Sequence, residues 1–553
     1  MSDLSIEGME SINVVELKYF EELSNKCRSI CVCCTTNNKI NEEKRNPKIT
    51  LSQVIGVTAK NVAVLSIGMN LGFITILIPQ LLDDVNEVVK IKDEEITWIG
   101  SIAFITSCIG SVGSGVISRV LGRKRTMLIL TIPFFTFWII HYFANKVWHI
   151  LFALGGNGLC VGLFGAAAFS YVVEITEPHL RGTLAATNAF SLCAGVIFEL
   201  LIGASLSWRT CAIITSVIPV VSFCSLWFLP ESPYWLISNN KVEKARESLI
   251  WYRGWTNTES VENEFQSICM DYQRNDKIFK KAQNLTIQLI KEKFNFYVKS
   301  FINPFVLVNF LFLVANLYGG LTAQTYSVLI FSTLNVPINK YIANLLLGVM
   351  GLLGCGFSIV FVKYLGKRKS ALASLLGVIL CDIFIGLYAF NHDVKVLHLH
   401  GAQNLSTGNV DEDSWIPLIL FLALMFIGSC GVAGLPWLLV GEVFPYETRD
   451  LGCALSIAME SSIGFLANKL YLDMISSLTF YGVYWFYAGF SFIGFIVVLL
   501  AIPETEGLTL QEISDHFTGR SKIKSAITKT GKEHSNSVVF DIMENARVST
   551  KEV

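Results

Sequence analysis

One charge pattern is written twice in this chain. Glu174 and Arg181 stand seven positions apart with Pro178 between them, and Glu442 and Arg449 repeat that spacing around Pro445. Two glycine-basic segments, Leu121-Gly-Arg-Lys-Arg125 and Leu365-Gly-Lys-Arg-Lys369, form a second duplicated pair. Opposite charges arranged this way can pair and separate, which is the chemistry of a gate. A further acid, Glu460, lies inside an apolar run, where a carboxylate is costly unless it faces a cavity or holds a proton. Nothing resembling a nucleophile with its base, a metal-ligand set or a cofactor motif accompanies these charges. His398 and His400 look like a metal pair only superficially, and no enzyme is predicted.

These residues need elements to position them, and composition says what those are. Of 553 residues, 52% are hydrophobic and 16% charged, and the mean hydropathy is +0.52. That is too apolar for a soluble chain of this length. A net charge of −1 implies no nucleic-acid partner. The fourteen cysteines fall mostly in apolar runs, which argues against a disulfide scaffold. Cys27, Cys31, Cys33 and Cys34 cluster ahead of the first run, as plain thiols or as lipidation sites. The first fifty residues are polar and charged, so no cleavable signal peptide is expected.

Twelve runs are long enough to cross a bilayer: roughly 58–82, 96–120, 126–144, 147–175, 183–205, 208–229, 304–332, 339–364, 370–390, 415–443, 450–477 and 480–502. The Glu-Arg pattern recurs after 268 residues and the glycine-basic pattern after 244. The difference, 24, is the length of the polar stretch 391–414. The chain therefore reads as a duplicated six-span unit with one loop lengthened, an all-α membrane protein of two pseudo-symmetric bundles. The expected division is a cytoplasmic segment 1–55, a bundle 56–230, a cytoplasmic helical linker 231–300, a second bundle 301–503 and a cytoplasmic tail 504–553. Basic loops after spans two and eight put both termini in the cytoplasm of a multi-pass plasma-membrane protein. Asn404, in the sequon Asn-Leu-Ser, is then external and a glycosylation candidate, whereas Asn284 lies inside. Glu174, Arg181, Glu231, Glu442, Arg449, Glu504 and the basic residues Arg123, Lys124, Lys367 and Arg368 all fall at cytoplasmic span ends. There they are expected to pair between bundles when the inner mouth closes.

Further motifs point to a family. Leu229-Pro-Glu-Ser-Pro-Tyr-Trp-Leu236 closes the sixth run, Gly441-Glu-Val-Phe-Pro445 the tenth, and Pro503-Glu-Thr-Glu-Gly507 follows the twelfth. In this order they resemble the sugar porter family of the major facilitator superfamily, most closely the insect facilitated trehalose transporters, over about residues 55–517. The resemblance implies two six-helix bundles rocking about a central sugar site.

Departures from the family pattern bear on that site. Where the family has an acid in each basic loop, this chain has Arg119 and Lys363, and a family Arg in span four falls on Leu154. In span seven only Asn316 and Gly319 keep the family's amide-and-glycine chemistry. A span-eight amide falls on Gly351, and in span eleven an Asn-Trp pair falls on Glu460-Ser461. Span ten keeps Pro436-Trp437, whose indole can stack on a sugar. Glu460 lies ten residues past Asp450, about 15 Å into the span. Ser456 and Gly464 share its face. Asn188, Ser191, Gly195 and Glu199 form a polar stripe on span five, with Glu199 either in an external vestibule or facing the bundle interior. Gln324 is a further substrate candidate, and Asp382 reads as a packing residue. Span one has no acid before Asp83, which favours facilitated diffusion over proton coupling.

The leading expectation is a facilitative carrier of a sugar, disaccharide or polyol. A carrier of a cationic or amine-bearing solute with Glu460 as counter-charge, and a non-transporting nutrient receptor, are the alternatives.

Overall fold

Inside a bilayer an unpaired backbone N–H or C=O costs several kcal/mol, so a spanning apolar run has to close its hydrogen bonds within a helix. The computed structural model, which describes residues 47–83, 89–283, 287–397, 414–444 and 449–504, is helical throughout those segments. The first half contains α1 (Pro47–Asp83), α2 (Asp93–Leu121), α3 (Arg123–Tyr142), α4 (Val147–Ile175), α5 (Pro178–Gly203) and α6 (Trp208–Trp227). Three helices follow, α7 (Pro233–Ser238), α8 (Val242–Tyr252) and α9 (Thr258–Gln283). The second half contains α10 (Ile287–Asn316), α11 (Gly320–Thr325), α12 (Ser327–Thr333), α13 (Lys340–Leu365), α14 (Lys367–Asn391), α15 (Ile416–Cys430), α16 (Leu435–Val443), α17 (Arg449–Leu478) and α18 (Phe480–Ala501).

Ten of the described helical stretches are long and apolar enough to span a membrane on their own. The expected fifth and seventh spans have shorter apolar cores, Thr187–Gly203 in α5 and Phe301–Asn316 in α10. The two halves are six-helix bundles. α2 packs on α4 and α1 on α5 in the first; α14 packs on α18 and α13 on α15 in the second. Small residues allow the tight contacts. A methyl added at Gly158 would lie 2.2 Å from the Ala103 carbonyl oxygen, and one at Gly162 would lie 2.1 Å from that of Ser107. This is small-residue spacing at i and i+4, which brings α4 against the backbone of α2. The bundles meet along two seams, α2 with α17 and α5 with α13.

Several boundaries differ from the expectation. α1 begins at Pro47, eleven residues before the expected span start, and its first turns dock on the helices that join the two halves. There the Ser52 hydroxyl donates to the Tyr252 carbonyl at 2.9 Å. α10 passes without a break through the expected linker boundary at residue 300. The seventh span is not one helix: it stops at Asn316, turns at Gly319 (φ +84°), and resumes as α11 and α12. The tenth span is also interrupted, between Cys430 and Leu435. Its broken ends are held by Ser374 of α14, which donates to the Ile427 carbonyl at 2.5 Å and accepts from the Val432 amide at 3.1 Å.

The helices α7 to α9 share an apolar core of Trp235, Leu236, Leu249, Val261 and Phe265. Trp235 ties them to the first bundle through its indole N–H, which donates to the Arg119 carbonyl at 2.7 Å. Tyr252 closes the same joint, its hydroxyl donating to the Pro230 carbonyl at 3.0 Å. Burial pushes that phenol well above its ordinary range, with the neighbouring Tyr171 and Glu231 adding to the shift, so it stays a neutral donor.

Candidate transport pathway and gates

The bundle ends that carry the glycine-basic motifs are built by one design used twice. In the first bundle the Glu231 carboxylate accepts from the backbone amides of Lys124 (2.7 Å) and Arg125 (3.1 Å) at the start of α3. In the second, Glu504 accepts from the amides of Lys367 (2.9 Å) and Arg368 (3.2 Å) at the start of α14. Each acid therefore supplies, from the end of its bundle, the anionic cap that a helix N-terminus lacks. The turn ahead of each helix is a glycine at positive φ, Gly122 at +106° and Gly366 at +85°. A Cβ on either would sit 2.5 Å from a carboxylate oxygen of the capping acid. The glycine-basic motif is thus, in large part, a socket for a distant glutamate.

The side chains extend the same pairing. Arg123 donates from Nε and Nη2 to Glu174, 3.2 Å each, and Ser232 also donates to Glu174. Lys367 donates to both Glu442 oxygens at 2.7 and 2.8 Å. Lys124 reaches the Trp227 carbonyl at 2.9 Å, and Arg368 reaches that of Leu499. The contacts described here join elements of one bundle, whereas the expected pairing of these charges between bundles belongs to the state in which the mouth at this end is closed. The physical reason is proximity: the loop ahead of α3 or α14 lies beside the last helix of its own bundle. The side chains of Arg181, Lys363 and Arg449 lie outside the described residues, as do Asn404, Asn284, His398, His400 and the cysteines from Cys27 to Cys34.

The halves of the bundles away from those motifs show the opposite habit. Lys469 of α17 donates to the Thr97 hydroxyl of α2 at 2.6 Å and lies over the Trp98 ring, 4.4 Å from its centroid. Asn344 of α13 donates to the Thr75 hydroxyl of α1 at 3.2 Å, and accepts from Gln324 of α11 at 3.2 Å. Tyr326 sits against Gly100, so closely that a Cβ there would lie 2.9 Å from the phenol oxygen. Nearer the middle, Ser107 and Ser461 approach to 3.3 Å, and Ser462 donates to Cys108 at 3.1 Å. Apart from the Gln324–Asn344 bond, these contacts cross from one bundle to the other, and they bring the bundles together at that end.

The expected substrate residues distribute unevenly around the centre. Glu460 is half-buried on α17, and its carboxylate accepts from Ser461 at 3.3 Å. One turn on, a Cβ at Gly464 would lie 3.4 Å from the Asn316 amide oxygen and 2.9 Å from Phe104. So Asn316, Gly464 and the first bundle's Phe104 converge beside the break in the seventh span, with Glu460 one turn back along α17. The Asn316 amide nitrogen is already committed to the Phe312 carbonyl at 2.9 Å, capping α10, which leaves its oxygen as the available group. Trp437 lies immediately after the break in the tenth span, edge-on to Phe312 at 5.1 Å, and remains 44% exposed. Gln324 donates to Asn344 and so belongs to the closure described above. Asn188 is exposed and accepts from Lys60 at 2.7 Å. Glu199 is fully buried and accepts from Thr215 at 2.6 Å, which places it inside the first bundle and not in an external vestibule.

Sequence reasoning passed over Lys60, Asn344, Lys469 and the buried Asn70–Asn157 pair, whose amides meet at 3.3 Å. A polar residue within an apolar run was the available signal for each. Among the described residues no His, Cys, Asp or Glu cluster could hold a metal ion.

Comparison with known proteins agrees with this geometry. The family model "Sugar (and other) transporter" matches residues 57–517. The facilitated trehalose transporter Tret1 of Polypedilum vanderplanki is 24% identical over 482 residues, covering 87% of this chain and 91% of that one. Tret1 of Apis mellifera ligustica is 26% identical, covering 89% and 93%. Among solved structures, the proton:xylose symporter XylE of the major facilitator superfamily, bound to 6-bromo-6-deoxy-D-glucose, superposes with a TM-score of 0.64 at 18% identity, covering 86% of this chain and all of that one. A partially occluded inward-open conformation of XylE from E. coli gives the same TM-score, covering 83% and 99%. Two bundles with duplicated helix-capping glutamates, broken seventh and tenth spans and a match along most of its length show that this chain is a member of the sugar transporter family with the major facilitator fold.

Proposed function

We propose that the protein carries a sugar or sugar-like solute, a disaccharide, hexose or polyol, down its gradient by alternating access. The observation that carries this reading is the pair of interrupted helices in the second bundle. They bring the Asn316 amide oxygen and the Trp437 indole to the level where the bundles meet. A sugar needs hydrogen-bonding groups and an aromatic face, and interrupted spans supply both along with free backbone polar groups. The trehalose transporters among the relatives make trehalose the first solute to try. Span one offers no acid before Asp83, which supports uncoupled movement. The residues proposed for the substrate are Asn316, Trp437 and Glu460, with Asn188 and Gln324 on the approaches.

The setting proposed is the plasma membrane, with both termini cytoplasmic and Asn404 glycosylated outside. The deciding experiment is uptake into vesicles holding the purified protein, with labelled trehalose competed by glucose, polyols and small amines. Saturable trehalose or hexose uptake that ignores amines supports the reading. Competition by amines alone moves the protein to cationic solutes, with Glu460 as counter-charge. Binding without uptake of any of them would mark a receptor and overturn it.

A further inference from the structure

The seam between α5 and α13 brings two thiols together. Cys193 of the first bundle and Cys355 of the second stand with their sulfurs 3.6 Å apart. Their meeting follows from the register of the seam. A Cβ at Gly348 would touch Leu200 at 3.0 Å and Ile197 at 3.5 Å, so the two helices are in contact there. The helices run antiparallel. Seven residues back along α5 from Leu200 is Cys193, and seven forward along α13 from Gly348 is Cys355. Seven residues are two turns on both helices, so the two cysteines return to the same line of contact.

Each thiol is carried on backbone that cannot yield independently of its bundle. Beside Cys193, Gly195 lies so close to α1 that a Cβ would meet the Leu65 carbonyl oxygen at 2.1 Å. Beside Cys355, Gly354 lies so close to α15 that a Cβ would meet the Phe426 carbonyl oxygen at 2.5 Å. The sulfur pair therefore reports, and can restrain, the relation between the two bundles as rigid bodies. Both residues are half-buried, so they are not sealed into a core.

We propose that Cys193 and Cys355 are a modification site at which a peroxide forms a disulfide that links the bundles and arrests their rocking. The chemistry is a two-electron oxidation. The sulfur of one cysteine, giving up its proton, attacks an oxygen of hydrogen peroxide; the O–O bond breaks, leaving a sulfenic acid and one water. The second sulfur displaces the hydroxyl from the first, its proton leaving with that hydroxyl as a second water. Two thiols are oxidised and one peroxide is reduced to two waters. The sulfurs must close from 3.6 Å to the bonded distance of about 2.05 Å. The neutral oxidant can enter the membrane without a charged pathway. Reduction by a thiol would release the link.

The consequence for transport rests on the carrier function proposed above, but the link itself does not. The test treats the full-length protein in vesicles with hydrogen peroxide, maps unreduced peptides by mass spectrometry, and measures uptake before and after dithiothreitol. A peptide joining Cys193 to Cys355 is expected, with a severalfold loss of uptake that dithiothreitol reverses. Cys193→Ser and Cys355→Ser are expected to keep their uptake through the same treatment, and Cys224→Ser to respond as the unaltered protein does. Absence of the joined peptide overturns the site, and a joined peptide with unchanged uptake overturns the arrest. If the untreated protein shows no uptake of any solute, the carrier reading fails while the joined peptide still decides the site.

Discussion

The bundle ends that carry the glycine-basic motifs and the halves away from them use polar groups in opposite ways. At the glycine-basic ends, formal charges are plentiful and the described contacts among them stay within a bundle: Glu231 and Glu504 cap helices, and Arg123 and Lys367 meet Glu174 and Glu442. At the opposite ends, described contacts cross between bundles and most of them join neutral groups: Lys469 to Thr97, Asn344 to Thr75, Tyr326 against Gly100. The difference teaches that density of charge in a sequence is a poor guide to where a carrier's moving parts touch. Charged capping makes each bundle rigid. Weaker neutral and cation–π contacts hold the mouth that has to open, and a latch that must be released each cycle is best built from contacts of modest strength.

The comparison can be broken most forcefully at the glycine sockets. Gly122→Val or Gly366→Val puts a β-branched residue at positive φ, worth about 1–3 kcal/mol of strain, and drives a side chain into the capping acid. Each is expected to lower the thermal midpoint of the solubilised protein and its yield at the cell surface. A normal melting profile for both would show that the caps do not hold the bundles together.

Next in size is Trp437→Ala, which removes the aromatic face beside the tenth-span break. Uptake is expected to fall about tenfold, or ~1.4 kcal/mol of transition-state stabilisation, at unchanged surface expression. Unimpaired uptake would place the solute elsewhere.

The outer latch is tested by Lys469→Met, which keeps bulk and loses both the hydrogen bond to Thr97 and the charge over Trp98. The loss is about 1 kcal/mol. Labelling of Ser101→Cys, a position fully buried in this structure, by an impermeant external maleimide is expected to quicken in the Lys469→Met background. Slower labelling would reverse the sign of the latch.

Arg123→Gln sharpens the contrast from the other side. It removes one pair within a bundle, worth about 1 kcal/mol or less. It is expected to lower the melting midpoint slightly and leave the Ser101→Cys labelling rate alone. A changed labelling rate would make the inner charges part of the gate after all.

The smallest effect is expected from Glu460→Gln, because an amide preserves a donor and an acceptor where the family pattern has an amide. Sugar uptake is expected to survive or improve. Collapse of uptake would assign the acid a charged role and favour a cationic solute.

Much of this architecture is legible in the residues. Two Glu-x6-Arg pairs and two glycine-basic loops reveal a duplicated unit, and runs of apolar residues mark the spans, because a bilayer demands helices of a set length. The Pro436-Trp437 pair signals the tenth-span break. Gly319 alone does not mark the seventh-span break, since a single glycine inside an apolar run is compatible with an unbroken helix. Glu199 was open between two readings because position along a span gives depth but not which neighbour stands opposite. Thr215 supplies that neighbour.

The sequence by itself determined the fold class, the duplication and the depth of each charged or polar residue, since these follow from hydropathy, spacing and the rise of a helix. Only the tertiary structure decided who pairs with whom. Glu231 lies 107 positions from the Lys124 amide that it caps, and Glu504 lies 137 from that of Lys367. Thr97 meets Lys469 across 372 positions, and Cys193 meets Cys355 across 162. Partners so distant in the chain are selected by how helix faces pack, and a helix's own periodicity names the face without naming what lies against it.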